Sequence, residues 1–119
     1  MTDPDPASML PLTPLTYHVL LALADSDRHG YGIIKEVLER TSGQMELETG
    51  TLYTALGRLR DDELIEPVPE NERPEGEDGR RRTYRLTPFG RKVLEAESRR
   101  LAELVTVAAE KRVIPAISG

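Results

Sequence analysis

Basic side chains, which can bind phosphate groups, are concentrated in two segments of this sequence. The segment from Arg80 to Lys92 has six basic residues and no acid, and it begins with three consecutive arginines. The segment from Thr49 to Arg60 has two arginines and no acid. Between them, residues 61–79 contain nine acids and one arginine. If folding brings the two basic segments together, they form one positive surface suited to phosphate; the alternative is that they are separate solvated faces.

Side chains that commonly carry catalysis or bind metals are sparse. The sequence has no cysteine, which excludes disulfides, thiolate zinc sites and cysteine nucleophiles. Its two histidines are separate: His18 falls on an apolar helix, where we expect a surface or interface position, and His29 falls at a helix start. The sequence shows no Ser/His/Asp arrangement, phosphate loop or metal-ligand spacing. We therefore predict a protein that is not an enzyme and that uses neither a metal nor another cofactor.

The whole chain has 119 residues, a net charge of −5 and 38% apolar residues, which suits one domain with its own core. Its longest apolar run, Val19 to Ala24, is far shorter than the roughly 18 residues that cross a bilayer. The first eleven residues are acidic and proline-rich, without the basic start of a secretory signal. We expect a cytoplasmic protein that does not associate with membranes.

Periodicity and capping signals predict the elements that position the basic segments. A first helix starts at Thr13-Pro14 and is apolar on more than one side, which favours burial against both its own domain and a partner chain. A second helix covers Tyr31–Arg40, and a third runs from about Thr49 to Arg60. Three leucines of the third helix fall at i, i+4 and i+7 and form its buried stripe: Leu52, Leu56 and Leu59.

The second half of the chain predicts a β-hairpin and a long helix. Two short strands, Leu64–Val68 and Arg82–Leu86, are joined by a polar loop, and the prolines at 67 and 69 suit an edge strand. The last helix starts at Thr87-Pro88 and runs to about Ile114, which makes it around 40 Å long. That length exceeds what a small domain can cover, so we expect it to pack partly against a second copy.

These elements predict an α+β, mostly helical fold, a winged helix-turn-helix with an additional long C-terminal dimerisation helix. We divide the chain into a flexible N-terminal arm (residues 1–11), the winged helix-turn-helix (12–86), and the dimerisation helix with its tail (87–119).

Three strings of residues, in this order, resemble the PadR family of bacterial transcriptional regulators, which are mostly repressors. They are His29-Gly30-Tyr31-Gly32-Ile33-Ile34, Gly50-Thr51-Leu52-Tyr53-Thr54-Ala55-Leu56-Gly57-Arg58-Leu59 and Arg81-Arg82-Thr83-Tyr84-Arg85-Leu86-Thr87-Pro88-Phe89-Gly90. The resemblance covers roughly residues 12–97 and implies the short form with a single C-terminal helix. Two positions depart from the family: Glu63 replaces a frequent glycine, and Thr83 replaces a frequent tyrosine. If Glu63 is left-handed, it costs on the order of 1 kcal/mol.

The resemblance implies a regulator that binds double-stranded DNA, with the third helix as the recognition helix in the major groove. The residues implied to contact DNA lie on the second helix, the third helix and the wing: Tyr31, Lys35, Thr51, Tyr53, Thr54, Arg58, Arg80, Arg81 and Arg82. Alternatives are a packed core position for Tyr53 and a solvated helix face for Lys35. The acidic loop Glu70–Asp78 is expected to point away from the DNA, because like charges repel.

Two copies are needed to read a two-fold operator, since their recognition helices must lie about 34 Å apart. The expected homodimer interface combines the first and last helices: Leu15, Val19, Leu23, Leu94, Leu101, Val105 and Ala108. Family members often respond to small compounds, so the resemblance admits a small hydrophobic or aromatic effector that relieves repression. The alternative is a winged-helix domain that binds protein instead of DNA. That alternative is favoured if Arg58 and Arg80 to Arg82 do not share a face with the exposed side of the third helix.

Overall fold

The computed structural model describes residues 4–69 and 82–116. A short 3-10 turn, Pro6–Met9, precedes four α-helices: α1 (Pro14–Ala22), α2 (Gly30–Arg40), α3 (Thr49–Asp61) and α4 (Pro88–Glu110). Three short strands complete the fold: β1 (Arg28–His29), β2 (Ile65–Pro67) and β3 (Thr83–Leu86). The predicted fold class is confirmed, since four helices with a small antiparallel sheet form the winged helix-turn-helix arrangement.

Three helices start at side-chain caps that satisfy backbone N–H groups. The hydroxyl of Thr13 accepts a hydrogen bond from the N–H of Thr16 at 3.2 Å. Nδ1 of His29 accepts from Gly32 at 3.1 Å, and the hydroxyl of Thr87 accepts from Gly90 at 2.9 Å. The helix starts predicted at Thr13-Pro14 and Thr87-Pro88 are therefore confirmed, and His29 is a capping residue.

Three helices end on a left-handed residue that is not glycine. Ser42, Glu63 and Arg112 have φ values of 54°, 62° and 61°. After each of them, the next N–H returns to a carbonyl in the last helical turn, as Leu64 does to Leu59 at 2.9 Å. Arg112 turns the chain in this way, and α4 therefore ends at Glu110 instead of near Ile114 as predicted.

The sheet has the strand order β1-β3-β2, and both pairings are antiparallel. The predicted hairpin is confirmed with Ile65 opposite Leu86, and β2, which carries Pro67, is an edge strand as expected. The sequence did not predict β1, which pairs Arg28 with Tyr84, because two residues are too short to show an alternating pattern.

The core joins α1, α2 and α3 to the sheet and to the first turns of α4. Its buried residues are Val19, Leu20, Ala22, Leu23, Ile33, Val37, Leu47, Leu52, Leu56, Leu59, Leu64, Ile65, Tyr84, Val93 and Leu94. Met9 and Leu10 pack against this cluster, and the 3-10 turn contacts α4. Within the segment predicted as a flexible arm, the apolar residues Met9 and Leu10 therefore contact the domain, while Pro4, Asp5 and Ala7 are exposed.

The start of α4 crosses the α3–β2 connection at very close range. A Cβ atom added at Gly90 would lie 1.9 Å from the carbonyl oxygen of Leu64, so no larger residue fits without moving the backbone. The hydroxyl of Thr87 also donates to the carbonyl of Glu63 at 2.6 Å, and the N–H of Thr87 donates to Leu64 at 3.1 Å. These contacts fix the direction in which α4 leaves the domain.

A buried carboxylate joins α4 to the segment that precedes α1. Glu97 is 1% exposed and accepts a hydrogen bond from the backbone N–H of Leu12 at 2.7 Å. Arg100, one turn further along α4, donates to both of its oxygens, at 2.5 Å and 3.2 Å. The pKa of Glu97 is lowered despite burial, chiefly by the hydrogen bonds from Arg100 and to a smaller extent by the one from the N–H of Leu12.

Candidate nucleic-acid interface

Helix α3 has a buried face and an exposed face, as its leucine spacing predicted. Leu52, Leu56 and Leu59 are 0%, 1% and 4% exposed. The side chains predicted to contact a ligand lie on the exposed part of the helix: Thr51, Tyr53, Thr54 and Arg58. Tyr53 is 53% exposed, which excludes the alternative that it is a packed core aromatic.

A shallow groove of about 540 Å³ runs along one side of α3 and places several of these residues on one surface. It is lined by Leu15 from α1 and by five residues of α3: Gly50, Thr51, Thr54, Ala55 and Arg58. The groove thus offers two hydroxyls and one guanidinium over small residues. Thr51, Thr54 and Arg58 are brought together, and Leu15, predicted in the dimer interface, lies beside them.

The first turn of α2 meets α3 through Tyr53. A Cβ atom added at Gly30 would lie 2.8 Å from the Tyr53 hydroxyl oxygen, so the end of the phenol lies against the start of α2. Tyr31 follows directly and is 66% exposed, and Lys35, one turn later, is also exposed. Tyr53 of α3 and the first turn of α2 therefore meet at one junction, whereas Thr51, Thr54 and Arg58 line the groove beside α1.

Lys35 of α2 and Arg58 of α3 are exposed cations. Among residues 4–69 and 82–116, neither Lys35 nor Arg58 forms an ion pair. Two arginines elsewhere are engaged: Arg85 pairs with Glu66 at 2.9 Å, and the Arg91 guanidinium donates to the carbonyl of Ala24 at 2.6 Å. The positive charge of Lys35 and Arg58 is thus available to an anionic ligand.

The wing is described in part. Arg82 is exposed and lies directly before β3. Arg80, Arg81 and the acidic loop Glu70–Asp78 lie outside the described residues. Two predictions therefore stay predictions: that these arginines share one surface with α3, and that the acidic loop points away from that surface.

The residues predicted for the dimer interface fall into two groups. Val19, Leu23 and Leu94 are 0%, 3% and 5% exposed in one copy, because they pack into the core of their own chain. The remaining members on α4 are half-buried: Leu101, Val105 and Ala108. Sequence reasoning missed Leu104 and Val107, which are 54% and 42% exposed, although Leu104 follows Leu101 at helical spacing.

The two histidines do not form a reaction centre. His18 is half-buried, and Nη1 of Arg40 lies 2.9 Å from its Nδ1. Burial, together with the charge of Arg40, lowers the pKa of His18. No group of three or more His, Cys, Asp or Glu side chains in the described part of the chain is arranged to hold a metal ion. None of the described helices is long and apolar enough to cross a membrane.

Comparison with known proteins places the matched region on the domain just described. The model of the transcriptional regulator PadR-like family matches residues 19–96. A 37.1 kDa protein in transposon TN4556 of Streptomyces fradiae is 43% identical over 86 residues, which are 72% of this chain and 22% of that protein. The present chain thus spans about a fifth of that relative.

Solved structures of similar proteins have the same fold. A PadR family transcription regulator from Clostridium difficile R20291 is 30% identical and has a TM-score of 0.69, covering 82% of this chain and 97% of its own. Bacillus subtilis PadR, solved in complex with operator DNA, is 23% identical with a TM-score of 0.59. That likeness covers 71% of this chain and 46% of the Bacillus chain, and it is a likeness of fold.

Proposed function

Because this chain belongs to the PadR-like family of transcriptional regulators, we propose that it binds double-stranded DNA as a homodimer and represses transcription from a two-fold operator. The family is one of regulators and not of enzymes. The observation that supports DNA binding most directly is the exposed part of α3, where Thr51, Thr54 and Arg58 share one groove and the arginine has no partner in the described chain.

Helix α3 enters the major groove in this proposal, because the groove is wide enough for an α-helix and base edges are distinct there. The Arg58 guanidinium donates to a phosphate or to the acceptor edge of a guanine. The hydroxyls of Thr51 and Thr54 donate to phosphate oxygens or to bases near the start of the helix. Bacillus subtilis PadR, which shares the fold, was solved in complex with operator DNA, and this supports DNA binding by the present chain.

Residues outside α3 hold the DNA backbone. Tyr31 and Lys35 are exposed on α2 and donate to phosphates beside the recognition helix. Arg80, Arg81 and Arg82 reach a phosphate or the neighbouring minor groove, where negative potential is strongest when the groove is narrow. Phosphate contacts of this kind set affinity, while α3 supplies the choice of sequence.

The C-terminal half of α4 forms the dimer contact in this proposal. It presents apolar residues beyond the part of α4 that the domain covers: Leu101, Leu104, Val105, Val107 and Ala108. An exposed apolar patch of this kind on a helix favours association with a second copy. We also propose that a small hydrophobic or aromatic effector binds between the two α4 helices of the dimer and α1. The protein is cytoplasmic in this proposal, because its DNA target lies there. A thermal-shift screen of such compounds tests the effector.

The test of DNA binding is the affinity for a fluorescently labelled duplex of mixed sequence, measured over a series of salt concentrations. Affinity should fall steeply with salt, and Arg58→Ala should flatten the log–log slope by about one unit for each phosphate that the guanidinium neutralises. Arg99→Ala is the matched control, because Arg99 is an exposed arginine of α4, 78% exposed and outside the groove. Absence of salt-dependent binding by the unaltered protein would overturn the proposal and favour a protein partner.

A further inference from the structure

Gly30, the first residue of α2, lies beneath the end of the Tyr53 phenol. A Cβ atom added at Gly30 would lie 2.8 Å from the hydroxyl oxygen of Tyr53, 3.0 Å from its Cζ and 3.3 Å from its Cε1. Gly30 is buried, whereas Tyr53 is 53% exposed. The far end of the ring therefore rests on the first turn of α2 while much of the side chain stays open to solvent.

The Tyr53 hydroxyl has no hydrogen-bond partner among the residues that the structure describes. A phenolic hydroxyl is both a donor and an acceptor. The fold thus holds the ring in place by packing but does not use its polar group. A hydroxyl held in this way is available to an acceptor from another molecule, and the oxygens of a phosphodiester are strong acceptors.

We propose that Gly30 is a positioning residue for DNA binding. Because it has no side chain, it allows the phenol of Tyr53 to lie at the junction of α2 and α3, where the hydroxyl donates to a phosphate of the DNA backbone. Gly30 itself touches no DNA in this arrangement. The inference rests on the proposed DNA-binding function and adds the residue that orients one of its contacts.

Replacing Gly30 by alanine should displace Tyr53 without unfolding the domain. The atoms that an added methyl group meets belong to the free end of a flexible side chain, which can rotate away, and not to backbone. Gly32 offers a matched control in the same helical turn. A methyl group added there would meet the Cβ of Arg28 and Cε1 of His29 at 3.6 Å, which is ordinary contact.

The experiment compares Gly30→Ala, Gly32→Ala, Tyr53→Phe and the double variant G30A/Y53F in the full chain. Affinity is measured for the labelled mixed-sequence duplex at low salt. Loss of one hydrogen bond to a charged phosphate should weaken binding about tenfold in Tyr53→Phe. Gly30→Ala should weaken it to a similar extent, Gly32→Ala should bind as the unaltered protein does, and the double variant should bind no more weakly than Tyr53→Phe.

A second measurement follows the ring directly. Fluorotyrosine labelling places a fluorine on each of the four tyrosines, and the resonance missing in Tyr53→Phe identifies Tyr53. Gly30→Ala should shift that resonance, and Gly32→Ala should leave it in place. An unshifted resonance in Gly30→Ala, or losses of affinity that add in the double variant, would overturn the positioning role.

Failure of this inference is distinguishable from failure of the proposed function. One outcome is that the unaltered protein binds DNA and Arg58→Ala lowers the salt slope, while Tyr53→Phe and Gly30→Ala bind normally. In that case the phosphate contact of Tyr53 and the positioning role of Gly30 are wrong, and the proposal of DNA binding stands. If the unaltered protein shows no salt-dependent binding, the proposed function is wrong, and the role of Gly30 in it is wrong as well.

Discussion

The first ten residues of α4, Pro88–Glu97 (the base of α4), and the exposed face of α3 differ in how far contacts within the chain explain which residues occur there. At the base of α4, Gly90 has no room for a side chain, and the buried Glu97 is hydrogen-bonded on both oxygens. On α3, Cβ atoms added at Gly50 and Gly57 would meet nothing within 4 Å. Contacts within the chain thus explain why Gly90 and Glu97 occur at the base of α4. No such contacts explain Gly50 and Gly57 on α3, as expected for a surface whose contacts are made with another molecule.

The largest effect in this comparison is expected for Gly90→Ala. Its methyl group would lie 1.9 Å from a backbone carbonyl oxygen, which cannot rotate away as a side chain can. Either α4 or the α3–β2 connection must move, and we expect a loss of about 3 kcal/mol or more in the free energy of unfolding, or failure to fold. Urea denaturation followed by circular dichroism measures it.

Gly32→Ala is the control for that measurement, since it makes the same change in a helix where the methyl group has ordinary contacts. It should leave the midpoint of unfolding unchanged or raise it. A Gly90→Ala variant as stable as the Gly32→Ala variant would show that the base of α4 tolerates a side chain at position 90. The contrast between the base of α4 and the face of α3 would then disappear.

Glu97→Gln should have the next largest effect. Glutamine keeps an acceptor for the N–H of Leu12 but removes the charge that Arg100 binds, so we expect a loss of about 1 to 2 kcal/mol. Glu95→Gln is the control on the same helix, because Glu95 is half-exposed and its 4.0 Å pair with Arg99 should contribute less than about 0.5 kcal/mol. Equal losses in the two variants would contradict a special role for the buried carboxylate.

The acid sensitivity of the protein should also depend on Glu97. Its pKa in the folded state is lowered, chiefly by the hydrogen bond from Arg100, so the folded state favours the charged form more than the unfolded state does. The resulting stabilisation is present above the ordinary carboxyl pKa and is lost as the pH falls through the lowered value. Glu97→Gln should therefore lose less stability than the unaltered protein between neutral and acidic pH, measured by urea denaturation at each pH.

Local signals explain which elements could be predicted from the sequence. The Thr-Pro pairs at 13–14 and 87–88 carry their own capping chemistry, and the leucine spacing of α3 fixes its buried face. Contacts between distant parts of the chain could not be predicted. The burial of Glu97 depends on Leu12, 85 positions away, and the need for glycine at position 90 depends on the carbonyl of Leu64.

The same distinction applies to the candidate site. The exposed positions of Thr51, Thr54 and Arg58 follow from helical periodicity, which a sequence shows directly. The contact of Tyr53 with Gly30 does not, because it depends on how α2 and α3 cross. Apolar character alone also does not separate interface from core, since Val19 and Leu23, predicted in the dimer interface, are buried in the core of their own chain.

Glu63→Gly tests the turn that leads into the base of α4. Glu63 has a φ of 62°, a conformation that glycine adopts without the steric cost of a Cβ atom. We expect the substitution to stabilise the protein by about 1 kcal/mol. Glu66→Gly, in the adjacent edge strand, should destabilise it instead, because glycine weakens a strand and the substitution also removes the ion pair with Arg85. Destabilisation by Glu63→Gly would mean that the carboxylate is needed at this turn.

The smallest change in stability, and the sharpest test of the comparison, is expected for Gly57→Ala. Gly57 follows Thr54 by three positions in α3, and an added methyl group would point into open space. Alanine should therefore stabilise the helix by roughly 0.5 to 1 kcal/mol. In the proposed complex, that same open space is filled by DNA, so the affinity for the mixed-sequence duplex should fall while the unfolding midpoint rises. Opposite signs in these two measurements are the result expected if the partner of this face lies outside the chain. A variant that is more stable and binds DNA as tightly as the unaltered protein would show that α3 does not approach the duplex at Gly57.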